Sequence, residues 1–238
     1  MITPRPYLSW SQLDQWERSP ERYKEVYLYG AKTPDNAGMA FGSKMSEGLE
    51  NEEATGDPIL DLLMARLPKF DIMDQIVTDP KGVWVKHYDH RQKKYIDIRL
   101  PFLRNGKEKI PILAKPDTWK LNMTSFKEYK TGQEPWSKSK VDNDEPRHPG
   151  GQITFYATAF FLITGKIPHD IELTQVMTAK GANEPLDKEL GAYEGLGIRA
   201  TGEIRRIATK RSTGQIINMM IRMKKAWEAI GKLSEELL

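Results

Sequence analysis

Two acidic residues and a lysine stand at a spacing that would bring them together on a β-hairpin. Pro116-Asp117 precedes Glu128-Tyr129-Lys130, with Asn122-Met123 midway between them. A hairpin turning there pairs position 117 with 128 and 119 with 126, and directly opposed residues share a face. Asn122 tolerates the backbone conformation of such a turn. Because side chains alternate along a strand, Glu128 and Lys130 are predicted to join Asp117 on one face, with Tyr129 projecting away.

Such a cluster suits phosphodiester hydrolysis with a metal ion. Two adjacent carboxylates repel each other, and one of them would ordinarily keep its proton. A hard divalent cation removes that conflict, and Mg²⁺ typically takes one or two carboxylates together with waters and substrate phosphate. The lysine would orient a water and help to neutralise charge that develops on the phosphate. An ordinary hairpin salt bridge, in which Glu-x-Lys is common, is the alternative. The spacing leaves both interpretations open.

The residues before this cluster are predicted to form helices. Ser9 and Gln12 make a capping-box pattern at the start of a first helix, and a second short one follows over 20–27. Apolar residues recur every four positions over 38–53, which predicts one buried stripe on a helix. A fourth helix is predicted over 58–66, where an aspartate and a proline stand at the start.

Strands dominate the middle of the chain and helices return after it. Strands are predicted over 83–85, 95–98, 110–120 and 124–130, then an aperiodic polar stretch over 133–149, a helix over 151–164, strands over 170–177 and 202–208, and a long helix from 212 onward. This order predicts an α/β or α+β fold around one mixed sheet.

Composition excludes several chemistries. The 238 residues contain no cysteine, so disulfides, a thiolate nucleophile, an iron–sulfur cluster and a Cys-ligated zinc are excluded. The net charge of +3 permits a nucleic-acid partner without requiring one. No apolar signal region follows Met1, and no apolar run is long enough to span a bilayer. We therefore expect a cytoplasmic protein without membrane contact.

The motifs and their order resemble those of a known nuclease superfamily. Pro116-Asp117 with Glu128-x-Lys130 resembles the PD-(D/E)xK signature, and the flanks resemble its RecB-like, phage exonuclease-like branch without an iron–sulfur cluster. That branch has an N-terminal helix, Pro-x-x-Tyr, a Gly-x-x-x-His helix, the aspartate, Glu-x-Lys followed by Thr-Gly, and a Gln-x-x-x-Tyr helix. The matching segments here begin, in that order, at Leu8, Pro20, Gly42, Asp117, Glu128 and Gln152. The resemblance covers residues 8 to about 156.

The resemblance implies a fold and roles for the cluster. It implies a restriction-endonuclease-like mixed sheet in one domain over 1–238, with a helical portion over 1–70, a catalytic sheet core over 80–210 and a C-terminal helix over 211–238. Asp117 and Glu128 would bind one or two Mg²⁺ or Mn²⁺ ions, and the backbone carbonyl of Tyr129 would add a ligand. Lys130 would position the attacking water.

One position departs from the family pattern. Counting Gly-x-x-x-His from Gly42 leads to Ser46 instead of histidine, and serine is a poor metal ligand. Glu50 follows one helical turn later on the same face, whereas Glu47 is rotated about 100° away. Glu50 is therefore the candidate replacement for the histidine, although a solvated acidic helix end explains both glutamates equally well.

Residues around the cluster are candidates for contact with DNA. Gln152 and Tyr156 lie one turn apart on a helix face and would hold the substrate or Lys130, if they are not simply a solvated glutamine and a core tyrosine. Trp136 could stack on a base, with Lys138 and Arg147 near phosphates. A second basic set near the C-terminus would contact phosphates without reading sequence, or form a solvated face: Arg205, Arg206, Lys210, Arg211, Arg222, Lys224 and Lys225.

The resemblance favours a metal-dependent deoxyribonuclease, an exonuclease of the recombination/repair or phage type, in a bacterial or phage-infected cell. A structure-specific endonuclease and a catalytically weak DNA-binding subunit that keeps the nuclease fold are the alternatives. DNA is the expected partner, and a homo-oligomer or a recombination partner protein is compatible with the motifs.

Overall fold

The computed structural model describes residues 4–32, 37–70, 72–79, 82–89, 92, 94–99, 110–146, 148–180 and 197–236. Its helices are α1 Trp10–Arg18, α2 Pro20–Tyr23, α3 Ala37–Asn51, α4 Pro58–Met64, α5 Lys138–Asp142, α6 Pro149–Thr164 and α7 Thr213–Glu236, and a π-helical turn Lys24–Leu28 follows α2. Its strands are β1 Leu8–Ser9, β2 Gln75–Asp79, β3 Gly82–Asp89, β4 Lys94–Arg99, β5 Ile112–Ala114, β6 Thr118–Trp119, β7 Ser125–Gly132, β8 Asp170–Lys180 and β9 Ile198–Thr209.

The predicted mixed α/β class is confirmed, with the strands divided between two sheets. One sheet has the order β1-β5-β2-β3-β4, and the other has the order β6-β7-β8-β9. In the second sheet β7 and β8 are parallel, with α5 and α6 between them in the chain, whereas β6 and β9 run antiparallel to their neighbours. Each sheet therefore mixes parallel and antiparallel pairs.

The division into two sheets begins where one strand had been predicted over 110–120. That segment breaks into β5 and β6 at Lys115-Pro116-Asp117. Pro116 has no backbone N–H to give to a ladder, and it disfavours a continuous strand. The break leaves Asp117 directly before β6. The proline of the Pro-Asp pair thus explains why the aspartate stands at a sheet edge.

Two apolar clusters cover the two faces of β7. Phe126 belongs to a cluster built on α6 and α7, which includes Tyr156 and Phe160. Tyr129 belongs to a second cluster beneath α3 and α4, in which Phe41 contributes to the predicted stripe of α3. Because each face buries apolar side chains, polar groups on β7 lie in surroundings that hold little water. None of the helices described is long and apolar enough to cross a membrane.

The predicted helix starts are confirmed, with one difference in detail. Asp57 caps α4 by accepting from two backbone N–H groups, and Ser9 accepts from the backbone N–H of Gln12 at 3.4 Å. The side chain of Gln12 does not complete a capping box. Instead it donates to the carbonyl of Tyr7 and accepts from the buried hydroxyl of Tyr23, which fixes α2 against α1.

Arg211 is buried and belongs to the framework, so its predicted role in phosphate contact is wrong. Its guanidinium donates to the carbonyls of Val141 at 2.8 Å and Gly150 at 3.1 Å, and to the hydroxyls of Thr154 and Thr209, each at 2.6 Å. These bonds join the end of β9 to the polar segment before α6. Arg222 forms a bidentate ion pair with Glu17.

We expect Arg211→Ala to lower the free energy of unfolding by at least about 3 kcal/mol, because the carbonyls of Val141 and Gly150 each lose a hydrogen bond from a charged donor, and each such bond contributes about 1.5–3 kcal/mol. Chemical denaturation measures this loss. Lys210→Ala changes the exposed neighbouring cation and should have little effect. Equal, small effects of both substitutions would show that Arg211 does not hold this region together.

Candidate active site

The hairpin that carries the predicted cluster forms in the predicted register. β6 and β7 are antiparallel, with Trp119 paired to Phe126 and Thr118 to Lys127. The turn differs from expectation, because Met123 and not Asn122 adopts the left-handed conformation, with φ of 55°. Asn122 stabilises the turn through its side-chain oxygen, which accepts from the backbone N–H and the hydroxyl of Thr124. Burial of Met123 in the core offsets the backbone strain.

Asp117 is attached to the opposite strand by its side chain. Its Oδ2 accepts a hydrogen bond of 2.5 Å from the backbone N–H of Tyr129. The aspartate therefore reaches across to β7 beside Glu128, as the extended register predicts. The side chain of Tyr129 points away and donates to the carbonyl of Pro68 at 2.5 Å.

Glu128 and Lys130 lie on either side of Tyr129 on β7 and are joined by a hydrogen bond between their side chains. Lys130 Nζ donates to Glu128 Oε1 at 2.5 Å. The Glu128 side chain is only 2% exposed, whereas that of Lys130 is 31% exposed. The second carboxylate oxygen, Oε2, is buried and finds no hydrogen-bond partner among the described residues. A buried carboxylate oxygen without a partner is costly unless a cation or proton satisfies it.

Burial makes both carboxyl groups reluctant to ionise. It raises the pKa of Glu128 to about 8, with the negative charge of Asp117 adding to the rise and Lys130 opposing it. Burial likewise raises the pKa of Asp117, against the opposing effects of Lys130 and the Tyr129 N–H. For Lys130, burial alone would lower the pKa, but Glu128 and Asp117 outweigh it and raise the pKa. Lys130 is therefore cationic. Its single positive charge does not offset the effect of burial on the pKa values of the two carboxyl groups.

The donor set fits a hard divalent cation. Two carboxylates converge, one of their oxygens is buried without a partner, and Mg²⁺ prefers such oxygen ligands. Within the described ranges, no group of three or more His, Cys, Asp or Glu side chains could hold a metal ion. Asp117 and Glu128 would therefore have to be supplemented by waters, by substrate oxygens or by a backbone carbonyl such as that of Tyr129.

Glu50 lies near the pair but is engaged elsewhere. Its Oε1 accepts from Lys115 Nζ at 2.6 Å, and its side chain is 40% exposed. Its charge helps to raise the pKa of Asp117, so the two carboxylates are within electrostatic reach of each other. Ser46 is half-buried and Glu47 is exposed on the same helix. Glu50 would have to leave Lys115 before it could serve as a metal ligand.

Gln152 and Tyr156 adjoin the pair from α6. Gln152 Nε2 donates to the Tyr156 hydroxyl at 2.8 Å. The Tyr156 ring is buried against Phe126, with ring centres 6.1 Å apart. Burial raises the pKa of Tyr156 well above its ordinary value, and the charge of Glu128 adds to this rise. The phenol therefore stays neutral, and the predicted one-turn pairing of the two side chains is present.

The other predicted substrate contacts are dispersed. Lys138 Nζ donates to Asp142 Oδ1 at 2.9 Å and to the carbonyl of Ala208 at 2.8 Å, so its ammonium is tied to the framework. Trp136 lies on the segment that follows β7, half-buried. Arg147 lies outside the described residues.

Two polar residues near the site were missed by the sequence analysis. Lys115 lies beside Asp117 and pairs with Glu50. Gln175, fully buried on β8, accepts from the Trp136 backbone N–H at 2.9 Å and donates to the carbonyl of Glu134 at 2.8 Å. The available signal was a glutamine in a predicted strand, directly before the apolar Val176 and Met177, because a buried amide requires partners.

Comparison with known proteins yields remote structural similarities. No protein-family model matches the chain, and no curated protein matches it significantly. Among solved structures, a phage-related exonuclease from Haemophilus somnus 129PT aligns with a TM-score of 0.44 and 10% identity, over 96% of this chain and 82% of that one. An alkaline exonuclease from Laribacter hongkongensis aligns with a TM-score of 0.39 and 12% identity, over 98% of this chain and 91% of that one. Its complex with dAMP aligns with a TM-score of 0.39 and 13% identity, over 98% and 92%. The backbones correspond only loosely at these scores.

Proposed function

We propose that this protein is a metal-dependent deoxyribonuclease that uses Mg²⁺ or Mn²⁺. The observation that carries the proposal is the convergence of Asp117, Glu128 and Lys130 around a buried carboxylate oxygen that has no partner among the described residues. A surface salt bridge does not require burial, a second acid or an unsatisfied oxygen. The arrangement is therefore better suited to chemistry than to stability.

Each residue would contribute a distinct part of the work. Asp117 and Glu128 would hold the cation, and the Tyr129 N–H fixes the orientation of the aspartate. A divalent cation would supply positive charge for the phosphate. Lys130 would position the attacking water and stabilise developing negative charge, because its ammonium is cationic and its side chain is one third exposed. Gln152 and Tyr156 would keep the wall of the site polar but uncharged.

We propose exonuclease action as the subtype, and substrate topology tests it. Linear duplex DNA labelled at one end and covalently closed circular DNA are incubated with protein and Mg²⁺. Release of nucleotides from linear DNA alone is the expected result. Cutting of the circle would indicate an endonuclease instead, and binding without cutting of either substrate would indicate the weakly catalytic DNA-binding subunit.

Glu50 is expected to support the reaction more than Glu47 does. Glu50→Gln should reduce the cleavage rate about tenfold, because it removes a candidate carboxylate ligand and leaves the ammonium of Lys115 unpaired near Asp117, where it would compete with a metal cation. Glu47→Gln is the matched control, since it removes the same charge from an exposed position three residues earlier on α3. Rates on one labelled duplex measure the difference. If both changes have the same small effect, the acidic end of α3 is merely solvated.

Metal binding should release a proton at neutral pH. Because the pKa of Glu128 is about 8 in the folded protein, the carboxyl is protonated at pH 7 and must ionise to bind a cation. We expect about one proton released per ion at pH 7, with affinity rising as the pH increases towards 8 and levelling off above it. Calorimetric titration of Mg²⁺ in two buffers of different ionisation enthalpy measures the proton count. Equal heats in both buffers would contradict the expected protonation.

A further inference from the structure

A cavity of about 580 Å³ begins where the strand of the candidate active site ends. Thr131 and Gly132, which line it, directly follow Lys130 on β7. Its other walls include Met39 and Phe41 from α3, and Trp136 and Lys140 from the segment after β7. Its volume lies within the range of roughly 300–1,000 Å³ that is usual for small-molecule sites.

The wall that carries Trp136 is held in place by a buried amide. Gln175 lies on β8, where it is paired with Lys130 of β7. Its side chain is hydrogen-bonded to the backbone of Glu134 and of Trp136. Gly132 leaves the space for this amide, because a Cβ there would lie 2.8 Å from Gln175 Nε2. Gln175 is therefore a positioning residue that fixes Trp136 relative to the strand of Lys130.

The groups around this cavity match the chemistry of a nucleotide. Trp136 supplies an aromatic ring, and the ammonium of Lys140 lies over that ring, with Nζ 5.8 Å from the ring centre. The indole N–H is buried and finds no acceptor in the part of the chain that the structure describes. Aromatic stacking with a nearby cation is how proteins bind single-stranded nucleic acid without reading its sequence.

We propose that this cavity receives the base of an unpaired nucleotide next to the scissile phosphodiester, stacked on Trp136 with its phosphate near Lys140. The inference rests on the proposed nuclease function and adds its substrate class. Gly132 lies two residues beyond Lys130, roughly 6.6 Å along the strand, comparable to one nucleotide step of an extended chain. A base inside a duplex has both faces covered by its neighbours and must leave the stack to enter such a cavity. The strand being cut must therefore be single-stranded at this point.

A double-mutant cycle between protein and DNA tests this contact. Single-stranded oligonucleotides, each with one abasic residue at a different position, are bound to the full chain in metal-free buffer so that cutting does not interfere. Fluorescence anisotropy measures the affinities of the parent protein, Trp136→Ala and Trp136→Phe. The matched control is Trp84→Ala, which removes a half-buried tryptophan from a cavity of about 340 Å³ in the other sheet.

We expect Trp136→Ala to weaken binding of intact DNA about tenfold, within the roughly 5- to 150-fold span of base stacking, and Trp136→Phe to weaken it less. At one position of the oligonucleotide, removal of the base should weaken binding by the parent protein by a similar factor. The same removal should hardly weaken binding by Trp136→Ala any further. The inference is wrong if the losses of affinity from Trp136→Ala and from the missing base add at every position. It is also wrong if Trp136→Ala and Trp84→Ala weaken binding equally. If the parent still cuts DNA with Mg²⁺ in that case, the nuclease function stands without this base site. If it binds no oligonucleotide and cuts none, both proposals fail.

Discussion

Lys130→Ala is expected to reduce DNA cleavage by a factor on the order of 10²–10³, while DNA affinity changes little. The ammonium lies 2.5 Å from Glu128 Oε1 and its side chain is one third exposed, so it can face a substrate phosphate while paired. Its contribution would arise mainly in the transition state, and losing such an interaction lowers turnover more than binding. Single-turnover cleavage rates and equilibrium binding, measured on the same oligonucleotide, separate the two effects.

Lys127→Ala is the control for this substitution. Lys127 lies three residues earlier on β7, on the opposite face, with Asp170 and Glu172 at 4.0 and 3.9 Å. Its loss should lower the unfolding temperature without affecting the rate of the remaining folded protein. If Lys130→Ala cuts at the parental rate, Lys130 is only a salt-bridge partner and its catalytic assignment is wrong.

Glu128→Gln and Asp117→Asn are expected to reduce cleavage below about 1% of the parental rate, because each removes a charged oxygen donor for the cation.

The same change at Glu128 should raise the unfolding temperature of the metal-free protein at pH 9. The pKa of this carboxyl is raised to about 8 by folding, so its stabilising effect is present at low pH and is lost as the pH rises towards and past 8. A neutral amide avoids that loss. Activity and thermal unfolding at pH 6 and pH 9 measure both effects.

Glu172→Gln provides the comparison on the adjacent strand. Glu172 accepts from the Thr174 hydroxyl and lies near Lys127, so it behaves as an ordinary structural carboxylate. Its substitution should leave cleavage unchanged and lower the unfolding temperature slightly. If Glu128→Gln instead destabilised the protein at every pH and retained activity, the Glu128–Lys130 pair would be a structural salt bridge.

The hairpin and its charges could be predicted because they depend on local rules. A turn at positions 122–123 fixes the pairing of Trp119 with Phe126, and alternation along β7 then separates Glu128 from Tyr129. Helix starts at Ser9 and Asp57 follow from the preference of short polar side chains for caps. Each of these features is determined within a dozen residues of sequence.

Features that depend on distant parts of the chain were not predictable in this way. The burial of Glu128 results from packing by α6, which lies more than twenty residues later. Arg211 has the sequence context of a surface cation, yet it is buried because three separate segments present oxygens to it. The helix α5 was missed in a stretch with no periodicity, because Val141 is the only buried residue of that helix. Tertiary contacts decide all three.

Release of nucleotides from linear DNA by the parent protein, with and without excess chelator, shows whether the protein is a metal-dependent nuclease. Because Asp117, Glu128 and Lys130 converge on a site that fits a divalent cation, we predict cleavage in Mg²⁺ or Mn²⁺ that stops when chelator is added and resumes when the metal is restored. Cleavage that continues undiminished in excess chelator would show that Asp117, Glu128 and Lys130 do not act through a bound cation. So would the absence of any cleavage by folded protein at saturating metal.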